Sequence, residues 1–93
     1  MKAIWNDTVL ADSNNTVVVE GNHYFPPDSI TWDLFQETKT TTMCPWKGAA
    51  SYYSVVVDGT TNRDAAWTYK EPKEKAAEIK DHLAFWGEVQ IVD

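Results

Sequence analysis

The only cysteine of the chain is followed within four residues by a lysine and a glycine. The stretch runs Cys44, Pro45, Trp46, Lys47, Gly48. A nearby cation favours the thiolate, which is the reactive form of cysteine, so Cys44 could act as a nucleophile. Alternatively, Cys44 is a small buried hydrophobic residue, and Pro45 and Gly48 shape a tight turn. Lys47 is either a point-charge anchor for a carboxylate or phosphate, or a lysine that is solvated or forms a salt bridge to one of the 14 acidic residues.

Tyrosines and a tryptophan follow this stretch in two short runs. Tyr52 and Tyr53 come directly after it, and Trp67 and Tyr69 lie in the next segment. Such side chains either form an aromatic wall that stacks a planar ligand or pack in the core. We expect one concavity, with the Lys47 ammonium at its mouth, to be lined by the predicted ligand-binding residues Cys44, Lys47, Tyr53, Trp67 and Tyr69.

The histidines give the chain few options for catalysis or metal binding. His82 could serve as a base for Cys44, or it is a solvated or capping residue. A structural zinc site needs four Cys or His ligands, whereas Cys44, His23 and His82 supply three at most. The sequence therefore predicts no metal and no cofactor. It also lacks a Gly-rich phosphate loop and an Asp-x-Asp pair for magnesium, which argues against nucleotide chemistry.

The composition limits the class of protein and its partners. A chain of 93 residues with 43% hydrophobic residues predicts one folded domain, residues 1–93. The net charge of −6 argues against nucleic-acid or anionic-membrane partners, because phosphate contacts need clustered Lys and Arg. A small anionic ligand remains compatible with it. Without a secretion signal, a long apolar run or a cysteine pair, we expect a cytoplasmic location.

The elements that must position these residues are mostly strands. Short runs of β-branched and aromatic residues predict strands at residues 2–5, 8–13, 16–20, 23–25, 31–38, 51–57, 62–69 and 89–92. The segment 38–49 lacks periodicity and predicts a loop. Asp58-Gly59 predicts a two-residue hairpin turn. In that register Val57 faces Thr60, Tyr53 faces Asp64 and Tyr52 faces Ala65, with Val55 and Val57 on the core side.

One helix is expected in the C-terminal half of the chain, near residues 72–83. Pro72 suits its first turn, and Ala76, Ile79 and Leu83 follow a helical spacing. Together with the strands, this predicts a mainly β fold of compact, curled antiparallel sheets with one α-helix.

Several segments resemble the domain-of-unknown-function 427 family, which is also labelled nucleotidyltransferase-like. The resemblance rests on the run Cys44 to Tyr53, on Ala66-Trp67-Thr68-Tyr69 with Pro72, on Tyr24-Phe25-Pro26 and on Ala84-Phe85-Trp86. It covers nearly the whole chain and implies a β-tent-like fold, but no reaction.

The expected function is a module that binds a small molecule or a partner at the Cys-Pro-Trp-Lys-Gly stretch. The alternative is a small enzyme that uses Cys44 as its nucleophile or Lys47 as its anion anchor.

Overall fold

The computed structural model describes the whole chain, Met1–Asp93, and it is built almost entirely from antiparallel strands. The strands are β1 (Lys2–Trp5), β2 (Thr8–Asp12), β3 (Val17–Val19), β4 (Asn22–Tyr24), β5 (Phe35–Cys44), β6 (Gly48–Val57), β7 (Thr60–Thr68), β8 (Leu83–Phe85) and β9 (Gln90–Val92). They form three sheets with the orders β2-β1-β9, β3-β4 and β5-β6-β7-β8. The mainly β class predicted from the sequence is confirmed.

The four-stranded sheet has a hydrophobic core on each face. One core contains Val55, Leu83 and Phe85 from this sheet, packed against Leu10 of β2 and Phe25. The other contains Ala50, Tyr69 and Ala84 together with Tyr24 and Ile79. Because neighbouring residues of a strand point to opposite faces, both faces of β6, β7 and β8 are packed. Val55 and Val57 are buried, as the sequence predicted.

The predicted α-helix at residues 72–83 is wrong. The structure has only 3₁₀ segments, at Pro27–Ser29, Trp32–Leu34 and Glu74–Ile79, and Ala76 interrupts the last with φ −116° and ψ 19°. The segment is held at both ends, since Lys73 N–H donates to Lys47 O at 2.9 Å and Asp81 N–H donates to Tyr69 O at 3.0 Å. Leu83 pairs with Thr68 in the sheet, so no helix can reach it.

The predicted loop at residues 38–49 is also wrong, because most of it belongs to β5. The strand continues to Cys44, and β6 begins at Gly48. β5 is an edge strand that pairs only with β6. Such a strand needs no apolar alternation, and its threonines are β-branched residues that favour extended backbone.

The β6–β7 hairpin begins in the predicted register and then shifts. Val57 pairs with Thr60, but after an irregularity Tyr53 pairs with Ala66 and Tyr52 with Trp67. The shift is centred on Asp64, whose φ is +51° and whose N–H donates to Ser54 Oγ at 3.1 Å. Extra residues in β7 therefore move everything beyond Asp64 by two positions relative to β6, as in a β-bulge.

Candidate functional site

The turn between β5 and β6 consists of Pro45, Trp46 and Lys47. Cys44 pairs with Gly48 across it, and the φ of Gly48 is +110°, which L-residues rarely adopt. The segment from Glu71 to Lys73 packs against the turn. Lys73 N–H donates to Lys47 O at 2.9 Å, and Lys73 Nζ donates to Pro45 O at 2.6 Å. The backbone at Lys47 is therefore fixed from two sides.

Lys47 is one of the few buried polar residues of the chain, with 7% of its surface exposed. Its ammonium forms an ion pair with Glu20. It also lies 5.3 Å from the ring centre of Trp46 and 5.7 Å from that of Tyr69, which are distances typical of cation–π contacts. The expectation of an exposed lysine at a cavity mouth is wrong, because the docked segment 71–73 covers the turn.

Glu20 reaches Lys47 from an unusual backbone position. Glu20 and Gly21 form the two-residue turn between β3 and β4, with φ values of 54° and 81°. Asn, Asp or Gly normally occupies the first such position, and glutamate rarely does. The side chain of Glu20 is 52% exposed on its other side. An uncommon residue for this turn thus provides the counter-ion of the buried lysine.

The pairing shifts both ionisation equilibria. The hydrogen bond from Lys47 holds the pKa of Glu20 below its ordinary value, against a smaller opposing effect of burial. Burial by itself would lower the pKa of Lys47, but the hydrogen bond to Glu20 and the electrostatic interactions with Tyr24, Tyr69 and Cys44 outweigh it. The pKa of Lys47 is therefore raised, and the ammonium stays charged at neutral pH.

A cavity of about 290 Å³ lies beside Lys47 on one face of the four-stranded sheet. Alternation and register explain its walls: Tyr52 of β6 pairs with Trp67 of β7, and Trp67 pairs with Ala84 of β8. The residues that line the cavity are Lys47, Tyr52, Trp67, Tyr69 and Trp86.

Hydrogen bonds fix three of the aromatic walls. Trp67 Nε1 donates to the buried Tyr24 hydroxyl at 3.1 Å, and the Tyr52 hydroxyl lies 3.1 Å from Thr42 Oγ1. Trp86 Nε1 donates at 2.6 Å to the carbonyl oxygen of Asp64 at the bulge. Their polar atoms are thus already paired within the protein.

Two polar groups at the cavity keep hydrogen-bonding capacity. Tyr69 is 5% exposed, and its hydroxyl makes no hydrogen bond to the protein. Burial raises its pKa, although the charge of Lys47 opposes this, so the hydroxyl is neutral and can donate. Lys47 has three ammonium hydrogens, and Glu20 is its one hydrogen-bond partner.

The structure brings together some of the predicted ligand-binding residues and separates others. Lys47, Trp67 and Tyr69 line the cavity. Cys44 is partly buried against the core behind it, beside Tyr24 and Tyr69, and does not line it. Tyr53 points to the opposite face of the sheet and lines a different cavity. The alternation that exposes Tyr52 to this cavity necessarily turns Tyr53 away.

Neither histidine forms a hydrogen bond to the Cys44 thiol, so the predicted base His82 is not positioned to activate it. His82 Nδ1 lies 2.8 Å from Lys80 O, and His23 Nδ1 lies 3.0 Å from Thr16 Oγ1. No three His, Cys, Asp or Glu side chains converge as metal ligands would. The structure also contains no helix with the length and hydrophobicity needed to span a membrane.

Sequence reasoning missed Glu20, Tyr52 and Trp86 as site residues. Tyr52 could have been found from the strand alternation, since it shares a face with Trp67 in the predicted register as well as in the observed one. Trp86 gave no signal in the sequence, because its 57% exposure is a property of the folded chain. Glu20 gave no signal, because its partner lies 27 residues away in the chain.

Comparison with known proteins identifies the family. No curated protein is significantly similar to the chain. One family model, described as "Domain of unknown function (DUF427)", matches residues 1–93. The match spans the complete chain and agrees with the resemblance of its cysteine-lysine stretch, so this protein belongs to the domain-of-unknown-function 427 family.

Proposed function

We propose that the protein is a binding module for a small planar molecule that carries one negatively charged group. The observation that carries the proposal is the buried Lys47 ammonium at the wall of a cavity otherwise made of aromatic rings. Concave, mainly apolar cavities with a few polar groups are the usual form of small-molecule sites. We further propose a cytoplasmic location, since the single cysteine suits a reducing compartment.

The aromatic walls favour a flat ligand. The ring centres of Tyr52 and Trp67 lie 6.5 Å apart with 39° between their planes. Trp67 is held from behind by Tyr24, whose ring lies edge-on to it at 6.2 Å. Rings that are fixed in this way offer apolar area without losing side-chain entropy when a ligand binds.

The polar groups favour a ligand that carries a negatively charged hydrogen-bond acceptor. The Lys47 ammonium has donors beyond the one that it gives to Glu20. The Tyr69 hydroxyl is neutral and unpaired beside it. A carboxylate would accept from both groups, and hydrogen bonds to charged groups are the stronger ones. The half-exposed Glu20 keeps its own solvation when the ligand binds.

The protonation of Lys47 and the position of Cys44 favour binding over catalysis. The raised pKa of Lys47 keeps it protonated, which suits an anchor and not a nucleophile. The Cys44 sulfur has no hydrogen-bonded base and does not line the cavity.

The test is a titration followed by NMR of the tryptophan indole N–H groups. Benzoate is compared with benzamide, which has the same shape and no charge. We expect benzoate to shift the Trp67 and Trp86 signals with higher affinity, and Lys47→Met to weaken it about 10-fold or more. Methionine keeps the length of the side chain, so the variant should fold.

Lys39→Met is the matched control. Lys39 is an exposed lysine of β5, and its removal changes the net charge by the same amount. Benzoate affinity should be unchanged in this variant. Equal binding of benzoate and benzamide, or equal losses in the two lysine variants, would contradict the proposal.

A further inference from the structure

A second cavity, of about 300 Å³, lies on the opposite face of the same strands. β6 and β7 supply alternate residues to the two cavities: Tyr52 and Trp67 face the first, whereas Tyr53 and Thr68 face the second. The residues that line this second cavity are Pro27, Trp32, Tyr53, Thr68, Lys70 and Asp81.

One of the residues that line this cavity carries a buried hydroxyl group without a partner. Thr68 is 2% exposed, and its Oγ1 makes no hydrogen bond within the protein. Threonine at a site where valine would fit leaves a buried polar atom unsatisfied, which costs free energy. Native proteins keep few such atoms, and each one calls for an explanation, of which a bound ion, water or ligand group is one.

The charges at the exposed rim sum to one excess negative charge. Lys70 Nζ is 2.6 Å from Glu37 Oε2, so this cation is already neutralised. The Asp81 carboxylate forms neither a hydrogen bond nor an ion pair. Asp81 is held in place through its backbone, because its N–H donates to Tyr69 O at 3.0 Å.

Two aromatic rings line the same cavity. The ring centres of Trp32 and Tyr53 lie 5.7 Å apart, with 60° between their planes. Trp32 Nε1 donates to Pro27 O at 2.9 Å, which fixes the indole. The faces of such rings attract cations, and the Tyr53 hydroxyl makes no hydrogen bond to the protein.

We propose that this second cavity binds a primary ammonium group attached to a small hydrocarbon or aromatic body. Asp81 is the counter-ion, the Thr68 and Tyr53 hydroxyls accept hydrogen bonds, and Trp32 packs on the apolar part. The ammonium comes from a free amine or from a lysine side chain of a peptide. The site differs from the first one in face, residues and sign of charge.

The experiment titrates the full chain with phenethylamine and follows the tryptophan indole signals by NMR. The neutral control is 2-phenylethanol, and Nα-acetyl-lysine-N-methylamide represents a peptide lysine. We expect the Trp32 signal to move with either amine and much less with the alcohol. Movement with only one of the amines identifies the source of the ammonium and supports the site.

Asp81→Asn and Asp58→Asn form a matched pair of variants. Both aspartates have positive φ, +60° and +49°, a conformation that asparagine tolerates, and each change removes one negative charge. Asp58 lies in the turn at the far end of the hairpin. We expect Asp81→Asn to weaken phenethylamine about 10-fold or more, and Asp58→Asn to leave it unchanged.

Thr68→Val tests the buried hydroxyl independently. Because the hydroxyl is unpaired in the free protein, the variant should be at least as stable as the parent and should bind the amine more weakly. Equal affinity for amine and alcohol, or equal effects of the two aspartate variants, would overturn the proposal. Shifts at Trp67 and Trp86 in place of Trp32 would overturn it as well.

Discussion

Gly48 is the position where we expect one added methyl group to be most destabilising. Its φ is +110°, and a Cβ there would lie 3.4 Å from Glu71 O and 3.6 Å from Lys73 N. Gly21 is the control, since its φ is +81° and a Cβ would meet nothing within 4 Å. We expect Gly21→Ala to lose about 1 kcal/mol, from backbone strain alone. Gly48→Ala should lose about 2–3 kcal/mol, because a φ of +110° lies farther outside the left-handed region that L-residues tolerate; the added methyl group itself would only reach van der Waals contact with residues 71–73.

The assay is thermal unfolding followed by circular dichroism. In a domain of this size 1 kcal/mol corresponds to about 4–8 °C, so the Tm of Gly48→Ala should lie about 4–16 °C below that of Gly21→Ala. The corresponding valine variants should widen the difference. Equal losses of Tm would refute the reasoning, because they would show that the φ of +110° at Gly48 is no more strained for alanine than the φ of +81° at Gly21.

Three further predictions concern charge and metal. The pKa of Glu20 in the folded protein lies below its ordinary value of 4.5. Its ion pair with Lys47 therefore stabilises the fold fully above pH 4.5, and this stabilisation is lost as the pH falls through the lowered pKa. We expect the free energy of unfolding, measured with urea between pH 3 and 7, to depend less on pH in Glu20→Gln than in the parent. Hydrogen bonds from Thr38 and Thr40 lower the pKa of Asp64, so Asp64→Asn should destabilise the protein at neutral pH. The variant should also change the NMR signal of the Trp86 indole N–H, and an unchanged signal would contradict the idea that the bulge holds Trp86 in place. Elemental analysis of the purified protein should find no stoichiometric metal, and one tightly held zinc per chain would contradict this.

The strands were predictable where the residue types of a short segment by themselves favour extended backbone or a turn. Runs of β-branched and aromatic residues identified β1, β2, β3 and β7, and Asp58-Gly59 gave the correct start of the β6–β7 register. Only the first four residues of β5 were predicted, as the end of a strand at residues 31–38, because a polar edge strand shows no alternation. Trp32–Leu34, in the first half of that predicted strand, form a 3₁₀ segment instead. The spacing of Ala76 and Ile79 correctly predicted that both residues are buried. The α-helix was nevertheless wrong, because the hydrogen bonds that hold both ends of this segment join it to residues distant in the sequence.

The candidate site was predictable only in part, because it depends on contacts distant in the sequence. Lys47, Trp67 and Tyr69 line one cavity, because the turn before β6 and the end of β7 lie at the same end of the hairpin. The burial of Lys47 was not predictable, since it requires the turn at Glu20 and the segment after Glu71 to pack around it. The wrong placement of Tyr53 came from grouping neighbouring tyrosines that the β-strand geometry sends to opposite faces.

The bulge at Asp64 is what assembles the first cavity. In the unbroken hairpin register Tyr52 would face Ala65, and Trp67 would face Ala50. The two-residue shift instead sets Trp67 opposite Tyr52. The carboxylate of Asp64 accepts from Thr38 at 2.6 Å and from Thr40 at 2.8 Å. Its carbonyl oxygen accepts from the Trp86 indole. One residue with positive φ therefore links β5, β7 and the segment after β8, and it brings the third aromatic wall to the other two.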